Sequence, residues 1–240
     1  MKKTIKRYFK NLLFKSGYKI NRIDKNYLLD DNPFRAVKSF LTSEDSIFFD
    51  IGVNHGQSLH KIRKYHPNAF IHGFEPSKYC FQELIRDFNS DKIILNNFAV
   101  GDKNGISEFN EYSWDSLNSL LKRAYTKSKI VETYQVDVIS VDNYCEKNKI
   151  DHIHFLKTDT EGYELNVLKG AERLMKNNKI KFVLIELFFD LNFIGQSAAG
   201  DIFNFLEKNN FKLVRFYAFS YSDKGLSSKT DALFINTKFK

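Results

Sequence analysis

After Pro33 the apolar positions of the chain follow two alternating periods, short continuous runs and stretches with helical spacing. The runs predict strands at 46–51 ("SIFFDI"), 69–75 ("AFIHGFE"), 92–100 ("KIILNNFAV"), 152–159 ("HIHFLKTD"), 181–188 ("KFVLIELF"), 212–219 ("KLVRFYAF") and 231–236 ("DALFIN"). Helical spacing predicts helices over Gln57 to Tyr65, Lys78 to Phe88, Tyr163 to Met175 and Ala198 to Lys208. Strands that alternate with helices belong to an α/β, doubly wound, mostly parallel sheet covered on both faces. The last two runs are joined by the turn-rich "SYSDKGLSSKT", which predicts an antiparallel hairpin at one edge. Between Gly101 and Asn143 the pattern weakens to two short strands, "ISEFN" and "YQVDVIS", around a polar loop.

The segment before Pro33 reads differently. Ile5, Tyr8, Phe9, Leu12 and Leu13 recur at the spacing of one helix face. Eight of the 37 basic residues lie within residues 1–22, which hold no acid, so the remaining 29 balance the 29 acids of the main body. The net charge of +8 is therefore a property of the tail. Such a helix either packs on its own domain or lies on anionic lipid. Charges interrupt it and no cleavage site follows, so it does not read as a secretory signal. The expected division is a basic amphipathic segment over 1–35 and one domain over 36–240. Only Cys80 and Cys145 occur, in no metal-binding spacing, and no apolar run has the length of a membrane span. The expectation is a cytoplasmic protein with reduced thiols, at most peripheral to the inner face of the membrane.

In a doubly wound sheet the chemistry lies beyond the carboxyl ends of the strands. The first run ends at Asp50 and enters Gly52, Asn54 and Gly56. A dinucleotide fingerprint requires glycine at 52, 54 and 57, and this chain has Gly52, Asn54 and Gln57, so no pyrophosphate cradle is spelled. An acid at that turn suits an ammonium group better than a phosphate. The second run ends in "GFEPS", with Glu75 placed 25 residues after Asp50, where a carboxylate can accept both hydroxyls of a ribose or simply open a helix at Pro76. A ribose, no pyrophosphate and a cationic amino-acid end describe S-adenosylmethionine. The third run borders an adenine with Phe98, Ala99 and Val100, or forms sheet core. The fourth ends in "LKTDTEGYE", which puts Asp159 and Glu161 at the top of the sheet, where capping and catalysis are both open to them.

The blocks "FFDIGVNHGQS", "HGFEPS", "NNFAVGD" and above all "KTDTEGYELNVLKGA" resemble the FkbM family of S-adenosylmethionine-dependent methyltransferases, over roughly Ser46 to Leu187. The resemblance implies the seven-stranded class I methyltransferase (Rossmann-like) fold and methylation of a hydroxyl on a sugar, polyketide or other metabolite. Carried onto this chain, Asp50, Gly52, Asn54 and Gly56 meet the methionine end of the cofactor. Glu75 holds the ribose, and Ala99 with its neighbours holds the adenine. Gln57, Pro76, Val100 and Asp159 complete the expected cofactor contacts. Asp159, Glu161 and Glu186 face the reacting centre. His55 lies in the cofactor turn and is a further candidate base beside Asp159 and Glu161. The family's serine-rich stretch is matched only loosely by Ser116 to Leu121, which receives no role.

The leading expectation is an O-methyltransferase acting on a saccharide, a surface glycan or its nucleotide-sugar precursor. A lipid, natural product or nucleic acid are alternative acceptors, and a catalytically inert peripheral membrane module of the same fold is a rival. Nucleic acid is disfavoured by the neutral main body and by Asp159-Thr-Glu in place of an Asn/Asp-Pro-Pro-aromatic motif. A nicotinamide oxidoreductase is disfavoured by the missing glycines. No metal site is expected, although clustered carboxylates allow a divalent ion.

Overall fold

The structure is a computed structural model that describes residues 2–18, 30–41, 45–125 and 127–240. Its strands are β1 (Ile47–Ile51), β2 (Phe70–Phe74), β3 (Ile93–Asn96), β4 (Ala99–Val100), β5 (Gly105–Tyr112), β6 (Ile130–Ile139), β7 (Ile153–Thr158), β8 (Ile180–Phe188), β9 (Phe211–Tyr221) and β10 (Ser227–Asn236). The helices are α1 (Lys2–Lys15), α2 (Pro33–Ala36), α3 (Gln57–Tyr65), α4 (Lys78–Asp87), α5 (Val141–Asn148), α6 (Glu164–Lys169), α7 (Glu172–Lys176) and α8 (Ala199–Lys208).

The main sheet runs β3-β2-β1-β7-β8-β10-β9, seven strands. All pairs from β3 to β8 are parallel, and β10 is antiparallel to both of its neighbours. This is the expected mostly parallel sheet with a C-terminal hairpin. Strand order reverses between β1 and β7, so a crevice opens above their carboxyl ends. The central strands are apolar on both faces because both are covered. Phe49, Leu156 and Val183 belong to one core cluster, with α5 to α8, and Phe48, Phe155 and Phe182 to the other, with α2 and α3.

Three differences from the sequence reading have local causes. The run 92–100 is two strands in two sheets, since β4 joins β6 and β5 in a small separate sheet. Asn97 makes the turn by donating its amide to the carbonyls of Glu75 and Pro76. The single helix expected over 163–175 is divided at Gly170, where a Cβ would stand 2.0 Å from the carbonyl oxygen of Gly101. Helix α5 starts at the end of the stretch read as weak and runs on to Asn148, where no helix was expected; it is capped by Ser140, whose hydroxyl accepts the Asn143 N–H.

The boundary expected after residue 35 falls inside α2, whose Phe34 and Ala36 are both buried. Asn32 caps that helix, Arg215 holds Asp31 at 2.7 Å, and His66 bonds to the carbonyl of Phe34. Helix α1, by contrast, leaves Tyr8, Phe9 and Leu12 exposed. No helix among the described residues is long and apolar enough to cross a membrane.

Candidate functional site

The β1–α3 turn is built from conformations that side chains resist. Gly52 adopts φ +81°, and a Cβ there would lie 1.9 Å from the carbonyl oxygen of Asp159. The missing side chain lets the ends of β1 and β7 close on each other, with the Asp159 N–H bonded to the Ile51 carbonyl at 3.0 Å. Asn54 and Gly56 are also left-handed, and Gly56 opens α3 against the ring of Phe88.

Asp50 is completely buried. One carboxylate oxygen accepts the Ser58 hydroxyl, and the other faces the Lys157 ammonium at 3.2 Å. Lys157 also reaches Asp159 at 3.3 Å and the carbonyl of Gly52 at 3.3 Å, so one buried cation ties β1, the glycine turn and the end of β7 together. The two carboxylates outweigh the burial that opposes its charge, and Lys157 stays protonated well above the usual lysine range. Sequence reasoning quoted Lys157 inside its best motif and gave it no role. A lysine interrupting an apolar strand two residues before Asp159 was the available signal.

Glu75 accepts the backbone N–H of Asn54 at 2.7 Å and that of Ser77 at 2.8 Å, so the carboxylate is fixed from both flanking loops. Ser77, not Glu75, caps α4. Burial pushes Glu75 up to about 7, against the lowering by its two N–H partners. A carboxylate has about four acceptor sites, and two here remain for a ligand.

A cavity of about 450 Å³ joins these groups. Gly52, Asn54, Gln57, Glu75, Pro76, Ala99, Val100, Asp159 and Glu161 line it, together with Phe98 and Lys157. Asp50 and Gly56 act from behind, through the buried ion pair and the start of α3. The glycine turn beside Asp159, the half-used acceptor capacity of Glu75 and the apolar flank of Phe98, Ala99 and Val100 fit an amino-acid end, a ribose and an adenine in that order. Ser116, Asn118, Ser119 and Leu120 also line the cavity, and Ser119 donates to the carbonyl of Glu161 at 2.8 Å. The stretch left without a role thus forms one wall.

His55 sits outside the cavity lining. Its ring nitrogens meet Glu83 and Asp115, each at 2.7 Å, and these partners raise its pKa. An imidazolium donating from both nitrogens has no lone pair for a hydroxyl proton. It ties the β1–α3 turn to the wall carrying Asp115.

The far end of the cavity is acidic. Oxygens of Asp159, Glu161 and Glu186 lie within 4.8 Å of one another, and Asp231 lines the same end. Glu161 takes a left-handed turn conformation at φ +53° that aims its side chain into the cluster. Burial raises Glu161 to about 8 and Glu186 well above the usual range, with neighbouring carboxylates adding to both. Lys229 stands 2.6 Å from Glu186 and 3.8 Å from Glu161, while Lys157 serves Asp159. Lys229 and Asp231 come from β10, beyond the strong motifs, and were missed for that reason.

The model for the methyltransferase FkbM domain matches residues 50–213. The hexuronic acid methyltransferase AglP of Haloferax volcanii is 29% identical over 148 residues, which cover 60% of this chain and 56% of the relative. The chain therefore aligns with little more than half the length of that curated relative. Among solved structures, an S-adenosylmethionine-dependent methyltransferase from Listeria monocytogenes described as putative aligns with TM-score 0.48 and 8% identity, covering 84% of this chain and 96% of that one. M. capricolum TrmK in complex with S-adenosyl-homocysteine aligns with TM-score 0.47 and 10% identity, covering 89% and 71%.

Proposed function

The chain belongs to the FkbM methyltransferase family, and from that premise we propose that it transfers a methyl group from S-adenosylmethionine to a hydroxyl of a saccharide. The observation that carries this reading is a cavity that joins a ribose-type carboxylate, Glu75, to a cluster of acids at the ends of β7 and β8. When bound, the cofactor supplies an electrophilic methyl group, and the residues of the chain place the acceptor. Asp50 and Lys157 hold the glycine turn at the methionine end, Glu75 the ribose, and Ala99 with Val100 the base. Asp159 and Glu161 stand where the acceptor hydroxyl arrives, with carboxylates that orient it. A saccharide is supported by the hexuronic acid methyltransferase among the relatives and by a polar acceptor end suited to hydroxyl groups.

Calorimetry with S-adenosylhomocysteine and with NAD tests the cofactor half. Binding of the first and not the second is expected, and the reverse refutes the reading. Mass spectrometry of saccharides from cells with and without the gene tests the acceptor half. Loss of the mass of one methylene from a single glycan species is expected, and unchanged glycans refute the saccharide assignment.

The partner reading extends to α1. Its exposed Tyr8, Phe9 and Leu12, in a segment that carries basic residues and no acid, suit contact with an anionic membrane at the cytoplasmic face. Deletion of residues 1–22 is expected to abolish sedimentation with phosphatidylserine vesicles, to be mimicked by added salt and to spare S-adenosylhomocysteine affinity. Sedimentation that survives the deletion refutes it.

A further inference from the structure

Glu186 projects from β8 into the acceptor end of the cavity and is only 7% exposed. Its Oε1 is ion-paired with Lys229 at 2.6 Å, while its Oε2 is buried with no hydrogen-bond partner among the described residues. A carboxylate oxygen buried without a donor is costly unless a ligand completes it. The cross-strand register explains how the pair forms. Asp231 lies opposite Glu186 and Lys229 opposite Phe188, so Lys229 sits one position on, on the same face of the sheet. Its ammonium also stands 5.5 Å from the Phe188 ring centroid.

We propose that Glu186 and Lys229 act as one unit, in which Glu186 Oε2 accepts the proton of the acceptor hydroxyl and Lys229 is the fixed cation that holds the carboxylate cluster charged. This inference rests on the methyl-transfer reading above. In the step, the acceptor oxygen forms its bond to the methyl carbon as the carbon–sulfur bond breaks. That bond's electron pair remains on sulfur, and the hydroxyl proton passes to Oε2, so the sulfonium charge is lost and one carboxylate is neutralised.

Three carboxylates this close repel one another and need positive charge among them. A divalent ion is one solution. Here the Lys229 ammonium already stands beside two of the three, delivered by an antiparallel strand whose position the sheet dictates. Other charged groups acting on the cluster are Lys157, 3.3 Å from Asp159, Glu164 on α6, Arg123 near the Phe193 ring and Asp231 on β10. Lys229 is the positive group in closest contact. Burial raises the basicity of Glu186, Asp159 and Glu161 add to the rise, and Lys229 opposes it.

The test uses the full chain saturated with S-adenosylhomocysteine and labelled with 13C at the glutamate carboxyl. The Glu186 resonance is assigned by its loss in Glu186→Gln. Lys229→Met is expected to move the Glu186 titration midpoint to higher pH, and Lys229→Arg to return it towards the wild type. In parallel, Mn2+ uptake is followed by electron paramagnetic resonance. The wild type is expected to leave Mn2+ free, Lys229→Met to bind it at least tenfold more tightly, and Lys229→Met with Glu186→Gln to lose that gain. An unmoved midpoint overturns the proposal, as does Mn2+ uptake by the wild type that Glu186→Gln abolishes. If Lys229→Met does not fold, Lys229→Gln takes its place under the same criteria. Failure of the wild type to bind S-adenosylhomocysteine refutes the methyl-transfer reading instead, so the two failures are distinguishable.

Discussion

Replacing Lys157 with methionine keeps the length of the stem and removes the charge at the centre of the site. Asp50 is fully buried, and its Oδ1 has no hydrogen-bond partner among the described residues; Lys157, 3.2 Å away, is the charge that faces it. Asp159, the other partner of the ammonium, is 40% exposed at its side chain and can turn to water. The loss therefore falls on Asp50. Removing one member of a buried ion pair costs about 3–5 kcal/mol, because the remaining charge stays uncompensated. A domain of this size loses roughly 2–4 °C per kcal/mol, so the melting temperature should fall by roughly 6–20 °C. Far-UV circular dichroism is the suitable probe, since the single tryptophan, Trp114, is 60% exposed and would report unfolding poorly. Urea titration without cofactor gives the free energy directly. Asp50→Asn in the Lys157→Met background should recover at least about 1 kcal/mol relative to the sum of the single changes, since the two groups are in contact. A single-variant loss under about 1 kcal/mol, with additive behaviour in the double variant, would refute the reasoning.

Glu75→Gln should weaken S-adenosylhomocysteine by about 10- to 150-fold, the equivalent of about 1.5–3 kcal/mol for hydrogen bonds to a charged group, and calorimetry showing less than a threefold change would leave Glu75 as a loop-positioning residue. Gly52→Ala should cost roughly 2–5 kcal/mol, from a strained left-handed residue and a Cβ driven into the Asp159 carbonyl; a thermal melt unchanged from wild type would contradict the close approach of β1 and β7. Glu164 is buried and raised to about 7, chiefly by burial, while its Oε1 accepts the N–H groups of Thr160 and Gly162. A folded pKa above the unfolded value contributes stability that is full below about 4.5 and lost as pH rises through about 7, so Glu164→Gln, which can still accept both bonds, should flatten the unfolding free energy over that window. The buried His72 and the half-buried His154, each lowered to about 4 chiefly by desolvation, contribute the opposite slope, and the difference between variant and wild type isolates Glu164. Identical slopes in the two proteins would refute its assignment.

Local period and local chemistry determined the elements. The alternation of runs such as "SIFF" and "KFVLIELF" with helical spacing determined an α/β sheet with both faces covered, since a strand buried on two sides must be apolar throughout. Asp50, Gly52, Glu75 and Asp159 were legible because each stands at the carboxyl end of its run, and in a parallel sheet all such ends lie on one side. What sequence could not convey was which charges meet across strands. Lys157 reads locally as a polar interruption of an apolar strand, and only the pairing of β1 with β7 places it against Asp50. Lys229 is separated from Glu186 by a helix and another strand, and only the antiparallel register of β10 on β8 brings the two together. His55 looked free for the same reason, because Glu83 and Asp115 reach it from elements distant in the chain. Periodicity and turn chemistry act over a few residues and survive as sequence pattern. Ion pairing depends on separations of a few ångströms between residues far apart in the chain, and only the assembled sheet decides those.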